Sequence, residues 1–393
     1  MTVDSRHLQR SLAPERATER LAELVRVPSE NPPGDEARAA EVVAAWCTDG
    51  GFDVEAHEAE PGRPSVVARW GSGSPTLTFC SHIDVVPAGD HTLWAGDPYS
   101  ADIAEGRLHG RGSSDAKGPC VAALEAALAL KDAGASFDGT LELAFVADEE
   151  AMGFKGAGHL VESGVMRPDI GIVGEPTSLR VVRAQRGAAW FRLVTRGVAG
   201  HGSAPERGVN AVAHMAEVVR HLKDHVPDLE HPLLGAPTIS VGTIRGGEKV
   251  NIIPASCVLE VDRRSVPPET RDSVIASVEA AIEAARERYP EIDASVELPF
   301  YGKPFEIPAS APVVTAAVDA VASVTGAPAE VIGFRGASDA RFIADTGADV
   351  IVLGPGDIKL AHTAREFIEL DEFHRGIEVY ALTFAMLLEM KLP

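Results

Sequence analysis

Along this chain, apolar residues recur at helical spacing over residues 14–27 and 36–48, and Gly50-Gly51 closes the second stretch. Apolar runs of strand length follow at 65–70, 76–81, 141–147 and 169–173. Residues 119–132 read as a helix, with Pro119 near the first position, Ala and Leu throughout and Gly134 at the end. Buried strands that alternate with helices predict an α/β fold, a mostly parallel sheet covered on both faces by helices.

The texture changes at about Arg186. Residues 190–195 alternate apolar and polar, 208–224 look helical, and 238–244 and 256–262 read as strands. A long Ala/Glu/Arg helix at 269–289 and an alternating strand at 294–298 follow. That order, βαββαβ, is the split βαβ arrangement of ferredoxin-like α+β domains. From Pro308 the first texture returns, with helices at 311–325, 339–345 and 372–390 and a strand at 349–353. The expected architecture is a discontinuous sheet domain over 1–185 and 300–393, interrupted by a smaller α+β domain over 186–299. A length of 393 residues, long for a single core, agrees with two domains.

Composition removes some classes of function. The 58 acidic and 36 basic residues leave a formal charge of −22, which disfavours nucleic acid and anionic membrane as partners, since both need a basic face. Cys47, Cys80, Cys120 and Cys257 are scattered in apolar settings, without zinc-ribbon or disulfide-dense spacing, so buried reduced thiols are expected. The first residues lack the apolar core of a signal peptide and no apolar run is long enough to span a bilayer. A cytoplasmic protein is the expectation.

Candidate chemistry collects at predicted strand ends. His82 follows the run 76–81 and Asp84 stands two residues on, where it can fix the second ring nitrogen of a ligating histidine. Asp148-Glu149-Glu150 follows 141–147, and Glu175 follows 169–173 through Gly174. Sites in open α/β sheets form outside the carboxyl ends of the strands, so these groups converge. The loop 110–118, Gly-Arg-Gly-Ser-Ser-Asp-Ala-Lys-Gly, has neither P-loop nor dinucleotide spacing; its glycines allow a tight path that aims Asp115 inward. His362 lies on the loop after the strand 349–353. Each residue has a plainer alternative: a core histidine for His82, a solvated acidic turn for Glu149-Glu150, a helix cap for Glu175, a surface histidine for His362. Their joint placement at strand ends favours metal ligation. Histidines and carboxylates without a cysteine suit zinc, cobalt or manganese, and a shared carboxylate suits a metal pair.

Together these motifs resemble the aminoacylase, acetylornithine deacetylase, succinyl-diaminopimelate desuccinylase and glutamate carboxypeptidase family of dinuclear metallohydrolases. The resemblance rests on Ser81-His82-Ile83-Asp84-Val85-Val86-Pro87, Gly110-Arg111-Gly112 through Asp115-Ala116-Lys117-Gly118, Asp148-Glu149-Glu150, Gly174-Glu175-Pro176-Thr177 and Ala361-His362-Thr363. It implies that Asp115 bridges two divalent metal ions, zinc with cobalt or manganese as alternatives. His82 and Glu175 complete one shell, Glu150 and His362 the other. It further implies Asp84 as orienter of His82, Glu149 as general base, and a cis peptide between Asp115 and Ala116. The inserted domain becomes a lid and dimerisation domain, whose His201 donates to the oxyanion and reaches the partner subunit's site. Many relatives have Ser where this chain has Gly202. Asn251 and Arg264 match substrate-carboxylate positions, with Arg263 an ambiguous neighbour, and Ser338 matches a pocket loop. The implied activity is hydrolysis of an N-acyl amino acid. A carboxypeptidase or dipeptidase with the same metal site is the alternative, and a non-catalytic binding relative is disfavoured because Glu149 and every ligand are present.

Overall fold

The computed structural model describes residues 5–393. The chain divides into two compact units: the chain up to Arg183 with Ile307–Ile332 and Ser338–Pro393, and Ala184–Glu306 with Gly333–Ala337. No described helix is long and apolar enough to cross a membrane.

The first unit is built on a sheet whose strands run Asp53–Glu58, Pro64–Gly71, Thr140–Val146, Thr76–His82, Ile170–Val173, Asp349–Val352 and Val181–Gln185 in spatial order. Its four central strands are parallel, Thr76–His82 lying between Thr140–Val146 and Ile170–Val173. The flanking strands pair antiparallel. Asp53–Glu58 escapes the apolar pattern because it is an edge strand in which only Val54 and His57 are partly buried. The central strands are buried on both faces, so even their polar Thr78 and Glu142 lie out of water. Ile172 joins the main core with the long helices, whereas its neighbour Gly171 faces Ile343 of the helix Ala340–Asp345.

The helix Lys117–Asp132 is buried along almost its whole length, with Ala122, Ala123, Ala126 and Ala127 fully enclosed. It starts at Lys117, so Pro119 is its third residue rather than its first. It packs against the strand Thr76–His82 and the helices Pro14–Val25 and Leu370–Leu387. Phe79 meets Tyr380 edge-on at 5.2 Å between ring centroids, and the Tyr380 hydroxyl donates to the Leu353 carbonyl. Each such buried aromatic contributes roughly 1.5–3 kcal/mol by desolvation, enough to hold the strand ends as a rigid platform.

The second unit contains a four-stranded antiparallel sheet in the order Thr238–Gly246, Ser256–Ser265, Gly187–Arg196, Asp293–Gly302. The helices Ala211–Leu222 and Arg271–Arg286 pack on each other and, with Phe191, Leu193, Leu259 and Val261, enclose its core. Its βαββαβ order and strand arrangement are ferredoxin-like. The second helix is shorter than the sequence pattern implied. Thr270 caps it in a reciprocal pair with Ser273, and Glu269 is left outside, bound to Arg263.

Candidate metal centre

His82 ends the strand Thr76–His82 and is 1% exposed. Its Nδ1 lies 2.9 Å from the backbone carbonyl of Asp84 and 3.5 Å from that residue's Oδ1. The carbonyl is therefore the closer partner of the ring. The Asp84 carboxylate has other work: it accepts from Asn31 Nδ2 at 2.8 Å and from the backbone N–H groups of Glu149 and Glu150 at 3.2 and 3.1 Å. One residue thus ties the His82 strand end to the turn that carries both glutamates. Burial alone would raise the Asp84 carboxyl, but His82 and Asn31 hold it below the usual carboxylate range.

That turn follows the strand Thr140–Val146. Asp148 adopts φ +71° and binds Arg63 through Oδ1 at 2.9 Å. Gly156 closes the turn so tightly that a Cβ there would fall 1.8 Å from the Ala147 carbonyl oxygen. Glu149 and Glu150 sit in the intervening single helical turn.

Two groups of donor atoms come together, each within 4.8 Å: His82, Asp115 and Glu175, and Asp115, Glu150 and His362. His82 Nε2 lies 3.4 Å from Asp115 Oδ1, and His362 Nε2 lies 3.4 Å from Asp115 Oδ2 and 3.1 Å from Glu150 Oε2. Asp115 faces both groups, one carboxylate oxygen to each. The Asp115–Ala116 peptide is cis. His362 adopts φ +62° on its loop and its side chain is half exposed.

The electrostatics point to missing positive charge. Burial and the neighbouring Glu149 push the Glu175 carboxyl well above its ordinary value, and burial does the same to Glu149. Burial also favours a neutral His82, but Asp115 and Asp84 hold its proton, and hydrogen bonds to Asp115 and Glu150 raise His362 to about 10. Among the described residues no protein donor reaches the carboxylate of Glu175 or Glu149. Burying an ion costs several kcal/mol unless it is compensated. Asp84, Asp115, Glu149, Glu150 and Glu175 oppose only two imidazoles, and two divalent cations would bring the cluster to within one charge of neutrality. The donor set, carboxylate oxygens with one imidazole per group, fits such cations.

Some groups that hold the site carry no sequence signal of their own. Glu366 is 1% exposed; its Oε1 accepts from the backbone N–H of Gly112, Ser114 and Asp115 at 3.0–3.1 Å, while Oε2 binds Arg111. It thereby fixes the loop that presents Asp115. Ser338 is fully buried and its hydroxyl accepts from the Ala340 N–H at 3.3 Å. Its segment braces the glutamate turn: Arg341 donates to the Met152 carbonyl, and Asp339 packs against Gly153. Glu366 could have been suspected only as a charge inside otherwise loop-like sequence, whereas Arg111 lies in a quoted motif and Arg341 in a predicted helix, without a sign of what either would bind.

The remaining candidates belong to the second unit. His201 and Asn251 share one small ribbon: His201 pairs with Ile252, and the Asn251 carbonyl accepts from the Gly202 N–H at 2.9 Å. Arg263 and Arg264 sit on one strand and so point to opposite faces. Arg263 is fully buried and paired with Glu269. Arg264 is partly exposed and holds Asp262 through Nε and Nη2 at 2.7 and 2.8 Å, an intramolecular pairing the sequence did not announce.

Comparison with known proteins agrees with this geometry. A family model described as peptidase family M20/M25/M40 matches residues 78–385. Acetylornithine deacetylase from Photorhabdus laumondii is 33% identical over 344 residues, covering 84% of this chain and 85% of that protein. The fold is shared with aminopeptidase PepT from Bacillus cereus, at a TM-score of 0.78 and 24% identity over 96% of this chain and 99% of that one. It is also shared with a Bacillus subtilis protein described as a dinuclear metal-binding peptidase of the M20 family, at a TM-score of 0.74 and 15% identity over 96% and 98% of the two chains.

Proposed function

The chain belongs to the peptidase family M20/M25/M40 and is a hydrolase, and on that premise we propose that it cleaves the amide bond of a small N-acyl amino acid. The observation that carries the proposal is the pair of donor groups sharing Asp115, with Glu149 beside them but in neither. His82, Asp115 and Glu175 would hold one divalent metal ion, and Asp115, Glu150 and His362 a second, with zinc the first choice. Bound there, the cations would polarise the scissile carbonyl and acidify water at neutral pH. Glu149 accepts a proton from water and returns it to the departing amine; its burial among carboxylates keeps its proton affinity high enough to do so. His201 supplies a hydrogen bond to the oxyanion, and Asn251 and Arg264 bind the substrate carboxylate.

The relative that is one-third identical over most of both chains favours a deacylase over a peptidase. We assign a homodimer formed through the second unit. The edge strand Thr238–Gly246 supports this: it leaves one side unpaired among the described residues and exposes Val241 and Ile244. A cytoplasmic location is consistent with four buried, unpaired thiols. The direct test is a panel of N-acetyl and N-succinyl amino acids and dipeptides, with amine release measured. Turnover confined to dipeptides would replace the deacylase with a peptidase, and absence of turnover on every member would remove both.

A further inference from the structure

We propose that Ser203 is a positioning residue that holds the ring of His201 with its proton on Nε2, so that His201 can serve only as a hydrogen-bond donor. The inference rests on the role given to His201 above and adds the device that enforces it.

His201 ends a ribbon in which Gly200 pairs with Ile253 and His201 with Ile252. The chain then turns at once. The Ala204 N–H returns to the His201 carbonyl at 2.9 Å, and a Cβ at Gly202 would lie only 3.2 Å from the backbone of Asn251. This turn brings both donors of Ser203 onto one ring atom. The Ser203 backbone N–H meets His201 Nδ1 at 3.1 Å, and the Ser203 hydroxyl lies 2.7 Å from the same nitrogen.

An amide N–H can donate and cannot accept, so Nδ1 must present its lone pair. A neutral imidazole carries one ring proton, and that proton is then on Nε2. The hydroxyl, free to play either role, donates as well. Moving the proton to Nδ1 would set the ring N–H against the Ser203 backbone N–H, forfeit that bond and force the hydroxyl to turn and accept instead. Because the lone pair of the ring is already engaged, His201 has no free acceptor, and proton abstraction falls to Glu149 alone. The His201 side chain is exposed, which leaves Nε2–H open to a ligand.

The test uses the metal-loaded enzyme with ¹⁵N-labelled histidine, the His201 ring resonances being identified by their loss in His201→Ala. The neutral ring is expected to show its proton on Nε2. In Ser203→Ala the backbone donor remains but the hydroxyl is gone; the Nδ1 resonance is expected to shift and kcat to fall about three- to tenfold. Ser203→Thr is expected to restore both. A proton on Nδ1 in the wild-type enzyme overturns the proposal, as does a Ser203→Ala enzyme with unchanged kcat and ring resonances. Should the proton sit on Nε2 while His201→Ala turns over at the wild-type rate, the tautomer assignment stands and the oxyanion role of His201 falls.

Discussion

The donor cluster of the first unit and the His201–Arg264 region of the second are held in opposite ways. In the first, the frame around the donors is held by several contacts at once: Asp84 alone binds Asn31, the backbone of Glu149 and Glu150, and the ring of His82. Apart from His362, whose side chain is half exposed, the side chains lie mostly out of water. In the second, His201, Asn251 and the edge strand Thr238–Gly246 are exposed, and His201 depends on a two-residue ribbon and one serine. The contrast separates two demands. A site for divalent cations needs carboxylates held together against their own repulsion, which only a rigid, buried frame sustains. A site that meets different substrates gains from exposed groups that can be exchanged without disturbing the core.

The sharpest way to test this division is to empty the cluster. Exhaustive chelation is expected to abolish amine release, and zinc or cobalt to restore it as two equivalents bind per chain; full activity without metal would end the dinuclear reading. Next in size, Glu149→Ala should lower kcat by about 10²–10⁴-fold. Metal content measured on the same protein should stay at two equivalents, because Glu149 belongs to neither donor group. Loss of a metal would make Glu149 a ligand instead of the base.

How far the site could be read from sequence follows the same division. Strand ends were legible. The runs leading to His82, Glu149 and Glu175 are mainly apolar because both faces of the sheet are covered, so their carboxyl ends could be located and their polar residues grouped. The ferredoxin-like order of the second unit was legible from its strand-like runs and the two helical patterns between them. The supports were not. Glu366 lies far from Asp115 in sequence, and nothing in its local sequence says that three backbone N–H groups will converge on one of its oxygens. Asp53–Glu58 and the short strands Arg107–His109 and Phe367–Glu369 lack an apolar signature because they are exposed or very short. Ser338 was read as a pocket residue, and its neighbours Asp339 and Arg341 have a bracing contact with the glutamate turn that their sequence does not signal.

Glu366 offers a smaller test of how strongly the frame is determined. Glu366→Gln keeps the shape but removes the charge opposite Arg111 and offers one acceptor oxygen where there were two. With Arg111 and the three loop amides no longer fully matched, Asp115 loses its fixed aim. Metal affinity measured by competition with a chelating dye is expected to fall about 10–100-fold, and the affinity of both sites should fall together because Asp115 faces both. An effect on one metal alone would mean that Asp115 is not shared.

The smallest effect is expected at Arg264, and the reason is visible in its contacts. Nε and Nη2 are committed to Asp262, so a substrate carboxylate meets only the remaining edge of the guanidinium. One such hydrogen bond is worth about 0.5–1.5 kcal/mol net. Arg264→Lys should therefore raise KM roughly two- to twelvefold and leave kcat and the melting temperature nearly unchanged. The adjacent Arg263 provides the control, since strand alternation turns it into the core, where it neutralises Glu269. Arg263→Met would strand that carboxylate and cost about 3–5 kcal/mol of stability, read as a large drop in melting temperature. If Arg264→Lys leaves KM unchanged for every substrate while Arg263→Met behaves as expected, the strand is assigned correctly and carboxylate recognition lies elsewhere in the molecule.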